Sequence, residues 1–288
     1  MKGSTKILKK IGILIVAASL LNAQPAASTH STVPILLVDG YDALNSCKTL
    51  QNPNEVFGNL GRLLTRDGTR VGFFDNCTYP NTSIPFLAGA FGRSLAATFG
   101  TQPVDVVAYS MGGLIVRAYL ANLHSLQLGN RTDPQIPYVN IRKLILIGTP
   151  NSGSELARLA GGQGFEMRPN DPIFSVLNHS HDLETVDVIS IAGLGSFTGD
   201  GVVALRSAAL NNVLPDHFLP AEGNLRTRVI PYCHTAQIPC GGYGGIAYVT
   251  GMDHPTYQII RSFLDDTLQW LQIGLSPTQA LAARQNGH

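Results

Sequence analysis

An apolar, β-branched run from Val104 to Ala108 ends on Tyr109-Ser110-Met111-Gly112-Gly113, and a helical pattern with Leu114, Ile115, Ala118 and Tyr119 begins at once. A buried strand that turns into a helix within two residues places the turn at the end of a sheet. Small residues at Ala108 and Gly112 let strand and helix approach closely. The serine between them then takes a strained backbone conformation with its hydroxyl above the sheet. The first amides of the helix have no partner inside it and can stabilise an anion at the same spot. A serine hydroxyl is a poor nucleophile without a base to take its proton, so the turn calls for a histidine elsewhere in the chain. The plainer alternative is a serine that only caps the helix.

The rest of the chain supports a sheet for that turn to sit on. Strands are expected at Val33–Val38, Arg70–Phe74, Val104–Ala108, Ile141–Gly148 and Val186–Ala192, with a weaker one near Arg226–Ile230. Helices are expected at Glu55–Arg66, Pro85–Phe99, Met111–Asn122, Glu155–Leu159 and Pro255–Leu271. Runs such as Leu144-Ile145-Leu146-Ile147 are apolar throughout, which fits strands buried on both faces of a parallel sheet. Strand–helix alternation at this spacing argues for right-handed βαβ units. The expected class is α/β, one domain over residues 30–272 with a frayed tail after Gln272. Residues 160–185 and 207–245, rich in Gly, Pro and Asn, are expected to be excursions that cover the carboxyl ends of the strands, where ligands of open α/β sheets bind.

The amino terminus resembles an export signal. Lys2, Lys6, Lys9 and Lys10 precede an uncharged apolar run, Ile11 to Leu21, and Leu21-Asn22-Ala23 offers a cleavage site, with a second at Pro25-Ala26-Ala27. The run is short for a membrane span, which needs about 20 apolar residues. The expectation is therefore a signal segment at 1–23, no integral membrane span, and a secreted protein, extracellular or periplasmic. Removing it leaves 16 Lys+Arg against 19 Asp+Glu, a formal charge of −3. With no basic cluster either, nucleic-acid binding is not expected. Cys47, Cys77, Cys233 and Cys240 are an even number in an exported chain and lack any CxxC or His-rich context, so disulfides are expected and a metal is not. Three pairings are open. Cys47–Cys77 and Cys233–Cys240 are preferred, the first because it joins loops after consecutive strands, the second because it closes a short loop.

At this point the chain resembles bacterial secreted lipases and esterases of the α/β-hydrolase superfamily. Some of these carry A-x-S-M-G-G where others have G-x-S-x-G, as Ala108 to Gly113 do here. The likeness runs through Val38-Asp39-Gly40-Tyr41, Ile147-Gly148-Thr149-Pro150-Asn151-Ser152-Gly153-Ser154 and Gly199-Asp200-Gly201-Val202-Val203, over roughly residues 33–271. It implies a compact α/β-hydrolase fold, a mostly parallel sheet flanked by helices with lid-like excursions. It also implies an oxyanion hole made by the amides of Tyr41 and Met111. Asp39 stands where the family usually has histidine, and an acid there opposes negative charge unless it points away or is hydrogen-bonded.

Triad partners on such a fold follow the serine in the order Asp or Glu, then His. Asp200 lies after the strand Val186–Ala192 and matches the family's D-G-x-V acid. Its rival Asp187 sits at the start of that strand, the wrong end for catalysis. A Gly-Asp-Gly turn residue is the plainer alternative. His254, on a loop just before Pro255 and the last helix, is the expected base. His217 and His234 are the alternatives, and His124, His179 and His181 come before Asp200. Phe165, Met167, Ile173, Phe174 and Val176 are expected to line an acyl pocket or form a lid, or else to pack the 160–185 segment onto the body. The resulting expectation is a serine hydrolase of carboxylic esters with an ester or lipid substrate and no cofactor. The same triad could equally serve an acyltransferase, a thioesterase or a polyester depolymerase, and a binding protein on the same fold is a further alternative.

Overall fold

Every apolar run expected to be a strand is one in the computed structural model, which describes residues 30–42, 47, 50–128, 136, 138–214, 226–238 and 240–285. The signal segment and His217 lie outside the described residues. The strands are β1 (Ile35–Val38), β2 (Val71–Phe74), β3 (Val104–Tyr109), β4 (Ile141–Ile147), β5 (Asp187–Gly193) and β6 (Thr227–Ile230). They form one six-stranded sheet in the order β2-β1-β3-β4-β5-β6, and every neighbouring pair is parallel.

The helices are α1 (Pro53–Phe57), α2 (Leu60–Arg66), α3 (Ile84–Phe99), α4 (Met111–Leu120), α5 (Pro172–Leu177), α6 (Leu205–Ala208), α7 (Pro255–Leu264) and α8 (Pro277–Gln285). Side chains alternate along each strand, so the unbroken apolar runs feed two cores. Leu36, Val38, Val106, Ala108, Leu144 and Leu146 pack under α3, α4 and α5. Ile35, Leu37, Val107, Ile145, Ile147 and Ile189 pack under α1, α2 and α7.

Four expected elements differ. The helix expected at Pro255–Leu271 ends at Leu264, with a separate 3₁₀ turn at Leu268–Gln272, and Glu155–Leu159 is a 3₁₀ turn. The two further differences have a clear local cause. The helix expected at Glu55–Arg66 is split at Gly58 and Asn59. There Gly58 has φ 59°, and the Asn59 N–H donates to the Val249 carbonyl at 2.7 Å. The carbonyl of Val249 fills the space a Cβ on residue 58 would need, so the chain turns instead of winding on. The tail after Gln272 is also not frayed throughout. Leu275 and Val229 exchange backbone hydrogen bonds at 2.8 Å, and Ala280 of α8 is buried against β6 and its neighbours.

Two features position the site. The strand order reverses between β1 and β3, so the chain leaves these two strands for helices on opposite faces of the sheet, and the turns that follow them meet at its carboxyl edge. In addition, Arg117 on the back of α4 is fully buried. Its guanidinium meets Asp182 at 2.9 and 3.3 Å, Asn151 at 3.2 Å, Asn178 at 3.1 Å and the Leu177 carbonyl at 3.0 Å. That cluster ties the excursion following β4 to the helix behind the serine.

Candidate active site

Ser110 ends β3 and starts α4 with φ 52° and ψ −125°, a left-handed backbone that L-residues adopt at a cost of about 1–3 kcal/mol. Close packing enforces it. A Cβ on Gly40 would lie 2.7 Å from the Ser110 Cβ, and one on Gly112 would lie 2.5 Å from the Asp39 carbonyl oxygen. The loop after β1 therefore runs directly against the serine turn. Among the described residues neither the Tyr41 nor the Met111 amide donates to another protein group.

The histidine at the serine is His234. Its Nε2 lies 2.9 Å from the Ser110 Oγ, and its Nδ1 lies 2.7 Å from Asp200 Oδ2. Asp200 is fully buried, and its other oxygen accepts the N–H groups of Val202 (2.9 Å) and Val203 (2.7 Å). Gly148, at φ 57°, leaves room for the pair, since a Cβ there would meet the imidazole at 3.1 Å and the carboxylate at 3.2 Å.

Three contacts hold the His234 loop, which follows β6. The His234 N–H donates to the Asp200 carbonyl at 2.7 Å, and the Tyr109 hydroxyl donates to the His234 carbonyl at 2.8 Å. The Cys233–Cys240 disulfide closes the loop, with Cα atoms 5.5 Å apart. The other preferred pair, Cys47–Cys77, is also bonded, at a Cα separation of 4.8 Å.

Solved structures share this architecture. Two structures of the phospholipase PlaB from Legionella pneumophila match the chain. The free form has a TM-score of 0.58 and the complex with thio-NAD 0.56, each at 16% identity over 84% of this chain. The chain spans 61% and 62% of those two, somewhat under two thirds of their length. The chain has the α/β-hydrolase fold. The mature lipase BlEst2 from Bacillus licheniformis matches at a TM-score of 0.46, 15% identity, 70% of this chain and 85% of that one. No family model and no curated protein matches the sequence.

Within the α/β-hydrolase fold, His254 does not take the place expected for the base. It is the N-cap of α7, where its Nδ1 accepts the Thr256 N–H at 3.3 Å, and its ring lies 5.0 Å from that of Tyr232. Burial lowers its pKa, in keeping with a neutral ring that accepts through Nδ1. The residue before a helix-starting proline is thus used to satisfy the helix. Asp187, the rival acid, pairs with Arg226 at the far end of β5, and His179 and His181 are exposed.

A cavity of about 930 Å³ opens over Ser110 and His234. Leu156, Leu159, Met167, Val202 and Ile238 give it an apolar wall. Of the five residues expected to line an acyl pocket, Met167 does. Ile173 and Phe174 are buried in the core beneath α5, Val176 is exposed, and half-exposed Phe165 lies under the Arg168 guanidinium. Their apolar character therefore serves mainly to pack the excursion.

Asp39 lines the same cavity and is 4% exposed. One carboxyl oxygen accepts the Gly40 N–H at 2.6 Å, and the other has no partner among the described residues. Burial, more than the fields of Asp75, Asp42 and Glu55, pushes its pKa up to about 8, against the opposing pull of the Gly40 bond. At neutral pH the group is mostly protonated, so it sets little negative charge beside the serine turn. Among the described residues no helix is long and apolar enough to cross a membrane, and no cluster of His, Cys, Asp and Glu is arranged to hold a metal.

Proposed function

We propose that the protein is a carboxylic ester hydrolase, a lipase or esterase, that works through an acyl-enzyme on Ser110. The observation that carries this reading is the continuous hydrogen-bonded chain from Ser110 through His234 to Asp200 at the floor of a cavity. His234 Nε2 takes the Ser110 proton as Oγ attacks the ester carbonyl. Asp200 holds the ring in the tautomer that leaves Nε2 free to accept, and it stabilises the imidazolium that forms. The amides of Tyr41 and Met111 donate to the tetrahedral oxyanion, each contributing a few kcal/mol in the transition state.

The imidazolium then protonates the departing alcohol. A water molecule, deprotonated by His234, attacks the acyl-enzyme, and the carboxylic acid leaves with Ser110 restored. The apolar wall suits the acyl chain. Two disulfides support an oxidising compartment and so export, in line with the signal-like amino terminus.

Hydrolysis of p-nitrophenyl esters of increasing chain length tests the reading. Turnover that disappears in Ser110→Ala is expected. A folded wild type that cleaves none of the series, or a Ser110→Ala variant that cleaves as well as wild type, contradicts it.

A further inference from the structure

The peptide unit between Gly40 and Tyr41 carries one of the N–H groups proposed for the oxyanion hole. Residue 40 has no room for a side chain, since a Cβ there would lie 2.7 Å from that of Ser110. A glycine also leaves the peptide that follows it free to rotate, because no Cβ restricts its backbone. The close approach to the serine turn therefore removes the restraint that would aim the Tyr41 amide. Another group must set that plane.

Asn76 holds it from the 3₁₀ turn Asn76–Thr78, just after β2, where its side chain is fully buried. Its Nδ2 donates to the Gly40 carbonyl at 2.6 Å and to the Asp39 carbonyl at 3.2 Å. Carbonyl oxygens only accept, so the NH2 of the carboxamide faces them and its oxygen does not. The C=O and N–H of one trans peptide lie in one plane and point opposite ways. Holding the Gly40 oxygen thus fixes the direction of the Tyr41 N–H. A carbonyl that accepts a hydrogen bond also makes the N–H of its own peptide a stronger donor.

Asn76 is itself held. Asp75 accepts the Cys77 N–H at 2.8 Å, and Cys77 is bonded to Cys47. The buried Gln163 side chain donates to the carbonyls of Asn76 at 3.3 Å and Tyr79 at 2.7 Å. On the other side of the peptide, the Tyr41 hydroxyl donates to the Gly161 carbonyl at 3.0 Å. Between these anchors, the Tyr41 N–H meets no backbone carbonyl among the described residues.

We propose that Asn76 is a positioning residue for ester hydrolysis: its carboxamide, through the Gly40 carbonyl, aims the Tyr41 N–H at the oxyanion. This rests on the hydrolase reading above and adds to it the group that orders the oxyanion hole. Asn76 does not line the cavity, so it acts only through that peptide. Leucine would have a similar shape without the donor, and an aspartate would set oxygens against two carbonyls.

An alkyl trifluoromethyl ketone and p-nitrophenyl butyrate test it together. The ketone adds to the serine: the Ser110 Oγ bonds to the carbonyl carbon, its proton passes to His234, and the carbonyl oxygen becomes a hemiketal oxyanion whose ionisation 19F NMR reads. In Asn76→Ala, kcat on the ester should fall roughly tenfold with KM little changed, short of the roughly 100-fold loss that follows removal of a whole oxyanion donor. The pH at which the hemiketal ionises should rise by about one unit, matching that tenfold. The pH at which His234 titrates in the rate profile should stay at the wild-type value. A role confined to stability would lower the melting temperature and leave the hemiketal ionisation where it is. Wild type supplies a second readout that needs no folded variant. On adduct formation the Tyr41 amide proton and the Asn76 carboxamide protons should shift downfield together. Folded Asn76→Ala whose hemiketal ionises at the wild-type pH, whatever its kcat, overturns the proposal and leaves the hydrolase reading standing. So does a wild-type adduct that moves neither the Tyr41 nor the Asn76 protons. Wild type that forms no adduct and cleaves no p-nitrophenyl ester overturns both.

Discussion

The two sides of the proposed active site are built differently. The nucleophile side is local: β3, one strained residue and α4 are consecutive in sequence, and the close approach of Gly40 and Gly112 fixes the turn. The base side is assembled from distant pieces. His234 sits on a loop after β6, held by a carbonyl after β5, the hydroxyl of Tyr109 in β3 and a disulfide to Cys240. A strand–turn–helix carries its own geometry. A catalytic loop of this second kind must be pinned by whatever lies around it.

The largest effect that separates the two histidines is on turnover. His234→Ala should lower kcat/KM by about 10⁴-fold or more, close to the loss in Ser110→Ala, because such residues act as a unit. His254→Ala should change it by no more than about threefold. Comparable losses in both histidine variants would remove the distinction between a base and a cap.

Opening the Cys233–Cys240 loop comes next. A Cys233→Ser/Cys240→Ser variant should lose on the order of 2 kcal/mol of stability. Its kcat should fall roughly tenfold with KM little changed, since slack in the loop displaces the base more than it disturbs the cavity. A variant with unaltered kcat would show that Tyr109 and the Asp200 carbonyl suffice to hold His234.

His254→Ala should cost about 1 kcal/mol in chemical denaturation at neutral pH, the usual loss of an N-cap. Because burial lowers the folded-state pKa of His254, its cap contributes fully above the unfolded value of about 6.5 and is lost as pH falls through the folded pKa. The gap between wild type and variant should therefore shrink on acidification.

Asp39 gives an effect of the opposite sign. Its pKa is raised from 3.8 to about 8, so the folded state loses stability as pH climbs between those values. Asp39→Asn should melt higher than wild type at pH 8–9. The difference should vanish near pH 4. A difference independent of pH would mean that the buried carboxyl is not the cause.

Much of this architecture is legible in the sequence, and the exceptions have physical reasons. Unbroken runs such as Leu144 to Ile147 announce strands buried on two faces, and Ala108 to Gly113 announces the turn, because both are short-range patterns. Asp200, which meets His234, is marked in the sequence by its place after β5 between two glycines. The base is harder to read. His254-Pro255 has the position expected of a base, but it is also a good helix start, and in the fold it serves as one. The cue to His234 is present in Cys233 and Cys240, since a staple around a histidine marks a loop whose position matters. Nothing in the sequence announces that the Tyr109 hydroxyl supports that loop, or that Arg117 is buried against Asp182, because those contacts join residues 125 and 65 apart. The excursion at 160–185 leaves two readings open in the sequence for a related reason: apolar residues such as Ile173 and Phe174 bury against the body as readily as they would line a pocket.

Labelling by a serine-directed fluorophosphonate tests the joined site most directly, because it needs an activated Ser110 and no particular substrate. Wild type should take up one label on Ser110, His254→Ala should label at a similar rate, and His234→Ala should label slowly if at all. Rapid labelling of folded His234→Ala, or its loss in folded His254→Ala, would contradict the assignment of His234 as the group that activates the serine.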